Sequence, residues 1–382
     1  MSVGLRNKRI DLIRGVSILL VLFHHFNIAY RLDDTALAHV FGWEAVRAVA
    51  RNGNYGVTMF FVVSGFLITL NARRRWGELG RVGARAFYGL RAARILPCLL
   101  LLLLVVDALA LAGYGVFQNR PPDDGGIGPV PYWLSHLAAL TSWMNVLVGH
   151  AGWFSYPLGV LWSLSVEEAF YLAFPLACLV LRTEARLAAF WAVFIVLGPA
   201  WRLAHQGDEA AWLYAYLACF DGIAIGCCAA LLAERVALRG AYGGAAALQT
   251  AAAAGMAFLY LWKPIAQTNI LGVTLMALGT AVLLLGARGS PTGPILERSR
   301  VLGALGWFGR LSYELYLFHL VVLGGMRAIL PPAGTVAGDG KLLLLAAYLA
   351  LSGALAALVA RFYAEPLNRG LRRLLASHAR PA

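Results

Sequence analysis

The chain has 382 residues, 60% of them hydrophobic and only 13% charged, whereas soluble domains run near half apolar and a quarter charged. An ordinary cytosolic enzyme is excluded, and so is one anchor on a soluble body, because apolar runs near the ~18 residues of a transmembrane helix recur along the whole length. The formal charge of +13 sits in short basic clusters between those runs rather than on one face, which points to membrane topology and away from nucleic acid.

Ten spans are predicted, near residues 11–30, 55–71, 93–116, 160–181, 187–204, 212–233, 243–262, 269–287, 311–330 and 341–363. They make an all-α polytopic integral membrane protein, one transmembrane domain over 1–382 with no appended soluble domain. The first span follows Arg6, Lys8 and Arg9, as in a signal peptide. His24 and His25 interrupt it, however, and no small-residue cleavage site follows, so a retained helix is expected.

Between the second and third spans an inner loop, 72–92, carries Arg73, Arg74, Arg75, Arg81, Arg85 and Arg91 against a lone acid, Glu78. After the third span comes a long outer segment, 117–159, opening with the turn-forming run Pro121, Pro122, Asp123, Asp124, Gly125, Gly126. Loops of this length are usually functional or disordered. Within the outer segment, 132–148 is apolar enough to suggest an eleventh span although it carries His136 and Asn145. Charge arbitrates: ten spans put 24 of the 32 Lys and Arg residues on the inner side, and eleven put only 15 there. Both termini are therefore expected in the cytoplasm, with 132–148 a re-entrant or surface-lying outer helix flanked by Trp133, Trp143 and Trp153. Cys98, Cys178, Cys219, Cys227 and Cys228 all fall in apolar runs, so no disulfide framework is expected.

An ionisable side chain near the bilayer centre costs at least about 2.5 kcal/mol, so each asks for a partner, a wet cavity or a function. Arg14 and His25 are eleven residues apart, close to three helical turns, and share one face of the first helix. His24 points about 100° away. Both histidines could merely bond between helices; alignment with Arg14 favours a functional His25. Arg91 and Arg94, at i and i+3, share a face at the inner boundary, where guanidinium groups can grip phosphate or simply mark topology and lipid headgroups. Glu167 and Glu168 follow Trp162, Ser163, Leu164, Ser165 and Val166 near the outer end of the fourth span. Adjacent residues cannot share a helix face, so one is expected to work and the other to be structural or solvated. Asp107 and Asp221 are further acids within spans, and His319 is a further imidazole. Ser64, in Phe60 to Leu67, is a nucleophile only with a base nearby; beside Gly65 it also reads as a helix-packing pair. No metal-ligand spacing, phosphate loop or nucleophile elbow occurs.

The run from Arg9, Ile10, Asp11, Leu12, Ile13, Arg14 to His25 resembles the opening helix of the acyltransferase family 3 integral membrane proteins. Phe60 to Leu67, Arg91 to Pro97, Trp162 to Tyr171, Asp221 to Gly226 and Ser312, Tyr313 to His319 resemble that family's later blocks, in the same order. The resemblance covers essentially the whole chain. It implies transfer of an acyl group, most often acetyl, from cytoplasmic acyl-CoA to a hydroxyl of a carbohydrate acceptor, in the inner membrane of a bacterium, without a metal. It makes His25 the catalytic imidazole and Arg14 its partner. Arg91 and Arg94 would bind the coenzyme, and Glu167 or Glu168 would serve on the acceptor side. The acceptor would be a surface or secreted polysaccharide or a lipid-linked glycan, with a separate periplasmic protein as a partner where transfer is handed on. A proton-coupled transporter or flippase using His25, Asp221 and Glu167 is the alternative, against which no repeated halves are visible.

Overall fold

The computed structural model describes residues 7–121, 128–233, 242–289, 299–331 and 336–377. Residues 122–126 of the expected outer turn lie outside the described residues, as do the two chain ends on which the expected cytoplasmic termini partly rest. Among the described residues every regular element is helical, as hydrocarbon demands of chains that must satisfy their backbone polar groups within each segment.

The helices are α1 (Lys8–Ala29), the short α2 (Ala36–Phe41) and α3 (Trp43–Ala50), α4 (Asn54–Trp76), α5 (Ala84–Leu111), α6 (Tyr132–Leu140), α7 (Met144–Ala151), α8 (Leu161–Leu181) and α9 (Glu184–Ala204). They continue as α10 (Tyr216–Leu232), α11 (Tyr242–Trp262), α12 (Ile265–Gly289), α13 (Arg300–Arg310), α14 (Ser312–Ile329), α15 (Gly340–Val359) and α16 (Glu365–Ser377). Eight stretches among the described residues are long and apolar enough to cross a membrane: α1, α3 with α4, α5, α8, α9, the run into and through α10, α12, and α15 with α16. The protein is an all-α polytopic membrane protein. The two other expected spans fall on α11, whose apolar part is the short Ala246–Trp262, and on the 18-residue α14.

Three expectations about connections need correction. The basic loop is not 72–92. Arg73, Arg74 and Arg75 continue α4 to Gly77, where a positive φ of 75° ends the helix, and α5 already begins at Ala84. Ala and Arg are strong helix formers, so they extend spans past the hydrophobic limit. The third span accordingly starts nine residues before 93 and ends at Leu111 rather than at 116, which puts Arg91 and Arg94 inside a helix rather than at its start. The segment 132–148 is two helices, α6 and α7, broken where Ser142 adopts a φ of 68°.

Close backbone approach fixes the arrangement. α4 and α10 cross at Gly65 and Gly226, where a Cβ on either glycine would strike the other helix, at Ile223 O and Val62 O respectively. α1 and α13 meet in the same way: a Cβ on Gly15 would strike Leu305 O, and one on Gly309 would strike Asp11 O. Small residues let helices approach in a solvent that offers no hydrophobic drive between them. A buried ion pair adds a second fastening, since Arg202 on α9 and Asp221 on α10 lie 2.6 Å apart and are almost wholly inaccessible.

Candidate functional site

Arg14 of α1, one face of α4 from Val57 to Asn71, the N-terminal part of α5, the first half of α8, the start of α14 and one face of α16 line a cavity of about 460 Å³, within the usual range of ligand clefts. Among the described residues five arginines line it, Arg14, Arg91, Arg94, Arg369 and Arg372, against one carboxylate, Glu167. Arg91 lies over the rings of Phe87 and Tyr171, at 5.9 and 5.8 Å, and its Nε is buried without a hydrogen-bond partner among the described residues. Arg94 sits over Tyr313 at 5.1 Å and 3.8 Å from the buried Glu314 carboxylate. Tyr313 donates its hydroxyl to Ile95 O at 2.9 Å, pinning α14 to α5.

Beside Arg91, Tyr171 donates to Glu167 Oε2 at 2.6 Å, Ser64 donates to the same oxygen at 3.3 Å, and the two hydroxyl oxygens are 2.9 Å apart. The Ser64–Gly65 dipeptide thus splits its work: Gly65 packs against α10 while Ser64 faces the cavity. Glu168, about 100° round the helix, points elsewhere and accepts from Ser142 Oγ at 2.9 Å, at the break between α6 and α7. Ser165 accepts from Met144 N at 3.0 Å, so α8 fastens this hairpin at two points.

Arg14 and His25 share the face of α1 that meets α14. Arg14 Nε donates to Ser312 Oγ at 3.1 Å, and His25 Nδ1 lies 3.3 Å from His319 Nε2, seven residues further along α14. The two helices therefore run in the same direction. His319 is fully buried, and its Nδ1 stands 3.1 and 2.8 Å from the carbonyl oxygens of Leu315 and Tyr316. A nitrogen between two carbonyls carries the proton, which leaves Nε2 of a neutral His319 as an acceptor. His25 Nδ1 then faces two acceptors, His319 Nε2 and Val21 O at 3.0 Å, and carries its own proton. That leaves His25 Nε2 with the lone pair. Trp153 closes one side of the imidazole, with ring centroids 6.3 Å apart.

Arg14 lines the cavity and His25 stands behind its inner end. Tyr316 joins them: it lines the cavity, its hydroxyl lies 2.6 Å from Ser163 Oγ and donates to Val160 O at 3.0 Å, and its ring is 5.9 Å from that of His319. The polar stripe expected on α1 is therefore divided by an aromatic partition of Tyr316 and Phe60, whose rings are 6.3 Å apart.

Of the residues singled out in the sequence, Arg14, Ser64, Arg91, Arg94, Glu167 and Tyr313 come together on the cavity wall. His25 and His319 pair one layer further in. Asp221 stands apart from the cavity, held by Arg202, by the Thr274 hydroxyl at 2.6 Å and by Gly222 N at 2.9 Å. Asp11 is buried in α1 beside the crossing with α13. His24 Nδ1 faces Ala50 O at 2.9 Å, a contact to the α3 end. Asp107, expected to be buried, is about a third exposed and pairs with His136 of α6 at 2.8 Å. Sequence inspection missed Arg369 and Arg372. Their signal was legible, since they repeat the i, i+3 spacing of Arg91 and Arg94 just past the last apolar run. It also missed Arg202 as the partner of Asp221.

The model of a family described as "Acyltransferase domain" matches residues 7–361. "Putative O-acetyltransferase SACOL0978" of Staphylococcus aureus is 27% identical over 195 residues, 49% of this chain and 28% of that protein. The "Peptidoglycan O-acetyltransferase OatA" of Listeria monocytogenes is 25% identical over 175 residues, 45% of this chain and 24% of that protein. The chain thus spans less than a third of the length of these curated relatives. No solved structure is a significant match.

Proposed function

Because the chain belongs to the acyltransferase family matched over residues 7–361, we propose that it is a membrane-bound O-acyltransferase of a bacterial inner membrane. It would move an acetyl or related acyl group from cytoplasmic acyl-CoA to a hydroxyl of a carbohydrate acceptor. One observation carries this reading: an arginine-lined cavity at the end of the bundle where α1 and α5 begin leads to Tyr316, directly against an imidazole pair. The excess of basic residues near that end supports its lying on the cytoplasmic side.

The chemistry follows from the side chains. Arg91, Arg94 and Arg14 supply positive charge for an anionic donor, and the cavity takes its flexible arm. A sugar hydroxyl is a weak nucleophile until a base removes its proton during attack, and a neutral imidazole suits that role near neutral pH. His25 Nε2 holds the free lone pair, while Nδ1–H is kept in place by His319 and Val21. Attack of the hydroxyl oxygen on the thioester carbonyl forms the ester bond, the C–S bond breaks, and the proton taken by His25 returns to the departing thiolate. Donor and base meet once Tyr316 swings from Ser163. The acceptor approaches from the other end, past Trp153 and the α6–α7 hairpin that Glu168 braces. The relatives whose names specify peptidoglycan O-acetylation favour a glycan, polymeric or lipid-linked, as acceptor; a separate periplasmic protein would complete transfer where the acceptor lies beyond the membrane.

The test is mass spectrometry of surface glycans from cells with the wild-type protein, with His25→Ala and without the protein. Ester-linked acyl groups should disappear alike in the last two, with His25→Ala still present and monodisperse in detergent. Wild-type levels of O-acylation in His25→Ala would refute the assignment.

A further inference from the structure

α16 lies past the family match, which ends at residue 361, yet it completes the cavity. The chain leaves α15 through a wide helical turn at Ala360–Ala364 and re-enters a helix with four basic or amide residues, Asn368, Arg369, Arg372 and Arg373, in six positions. Leu375 seats it on α5 beside Gly89, where a Cβ on the glycine would come within 2.9 Å of the leucine. That docking brings Asn368, Arg369 and Arg372 into the lining of the same cavity as Arg91 and Arg94. The two new guanidinium groups are also aimed: Arg372 Nε donates to Asn368 Oδ1 at 2.8 Å and Arg369 Nε to Glu365 O at 3.3 Å, which leaves their terminal nitrogens for a ligand.

Arg372 lies in the repulsive field of Arg75, Arg91 and Arg94. Like charges gathered this closely oppose the docking of α16 unless an anion sits among them. The buried Nε of Arg91, without a hydrogen-bond partner among the described residues, lines the same cavity and is a further donor for such an anion. Guanidinium forks match the oxygen geometry of phosphate.

We propose that Arg369 and Arg372 of α16, together with Arg91 and Arg94, form the subsite for the nucleotide phosphates of the donor, so that the C-terminal helix clamps a phosphorylated thioester. This rests on the acyl-CoA reading for the identity of the donor, but it is a statement about binding and is tested without turnover. The full chain in nanodiscs of zwitterionic lipid is titrated with CoA, with 3′-dephospho-CoA and with pantetheine. In Arg369→Gln and Arg372→Gln the dissociation constant for CoA should rise about tenfold each, the worth of one charge-assisted hydrogen bond. Pantetheine binding should be unchanged. The neighbouring, exposed Arg373, which does not line the cavity, serves as the control: Arg373→Gln should bind CoA as the wild type does. Equal losses for CoA and pantetheine, or no loss for either, would overturn the proposal. So would CoA affinity that responds to these substitutions only in nanodiscs of anionic lipid, which would assign α16 to headgroups. Intact, phosphate-dependent CoA binding by a protein that transfers no acyl group would sink the enzymatic reading and leave the subsite standing.

Discussion

Asp221 looked like a functional acid, and the structure makes it half of a sealed ion pair, so its removal should cost stability before it costs chemistry. Arg202 donates to both carboxylate oxygens of Asp221, at 3.2 and 2.6 Å, to Thr274 Oγ at 2.7 Å, and to the carbonyls of Ala218 and Ile270. Replacing Arg202 by Leu leaves a buried carboxylate whose donors, among the described residues, are the Thr274 hydroxyl and Gly222 N; breaking a buried pair from one side costs about 3–5 kcal/mol. Asp221→Asn should cost less, about 2–3 kcal/mol, because the two carbonyls and Thr274 still accept from the guanidinium. Arg202→Met combined with Asp221→Leu removes both charges, keeps the approximate volume, and should be more stable than Arg202→Leu alone. Unfolding in mixed micelles followed by tryptophan fluorescence gives the four values, and glycan O-acylation by the same variants gives function. If the single variants lost less than about 1 kcal/mol, or if Asp221→Asn were fully stable yet inactive, the structural assignment would be wrong.

Two further predictions concern the imidazole pair and the loop that follows α1. His319→Leu removes an acceptor behind His25 and should lower kcat about tenfold with little change in KM for the donor; His319→Gln, whose amide oxygen can replace Nε2, should recover most of that loss, and equal losses in both would show that His319 only packs. Asp34, in the loop after α1, receives a hydrogen bond from Lys341 at 2.6 Å and one from Gly338 N at 2.9 Å, and these donors hold its carboxyl below the ordinary value of 3.8. A depressed folded-state value means that the contact stabilises fully above that ordinary value and is lost as pH falls through the lower one. Melting temperature measured from pH 7 downward should therefore show an acid-dependent decline that Asp34→Asn, already lacking the charge, shows less of; parallel curves would contradict the linkage.

Much of the site was legible in one dimension because it depends on helical period. A separation of eleven positions between Arg14 and His25 sets them on a shared face, and the structure sets that face against α14. Adjacency alone required Glu167 and Glu168 to part, although only packing showed that Glu167 faces the cavity and Glu168 the α6–α7 break. Asp107 illustrates the opposite case: its apolar neighbours in sequence suggested burial, and a helix end open to His136 left it partly exposed.

An all-helical membrane protein was determined by the sequence itself, since apolar runs of spanning length have no other way to satisfy their backbone in lipid. So were the polar faces and their spacing, because these are properties of a single helix. Which helices cross was decided only in three dimensions, by glycine contacts between residues more than a hundred positions apart in the case of Gly65 and Gly226. The same holds for the Arg202 partner of Asp221, the aromatic partition in front of His25 and the return of α16 to the cavity. Each depends on side chains from separate helices meeting, and local periodicity carries no record of which helices become neighbours.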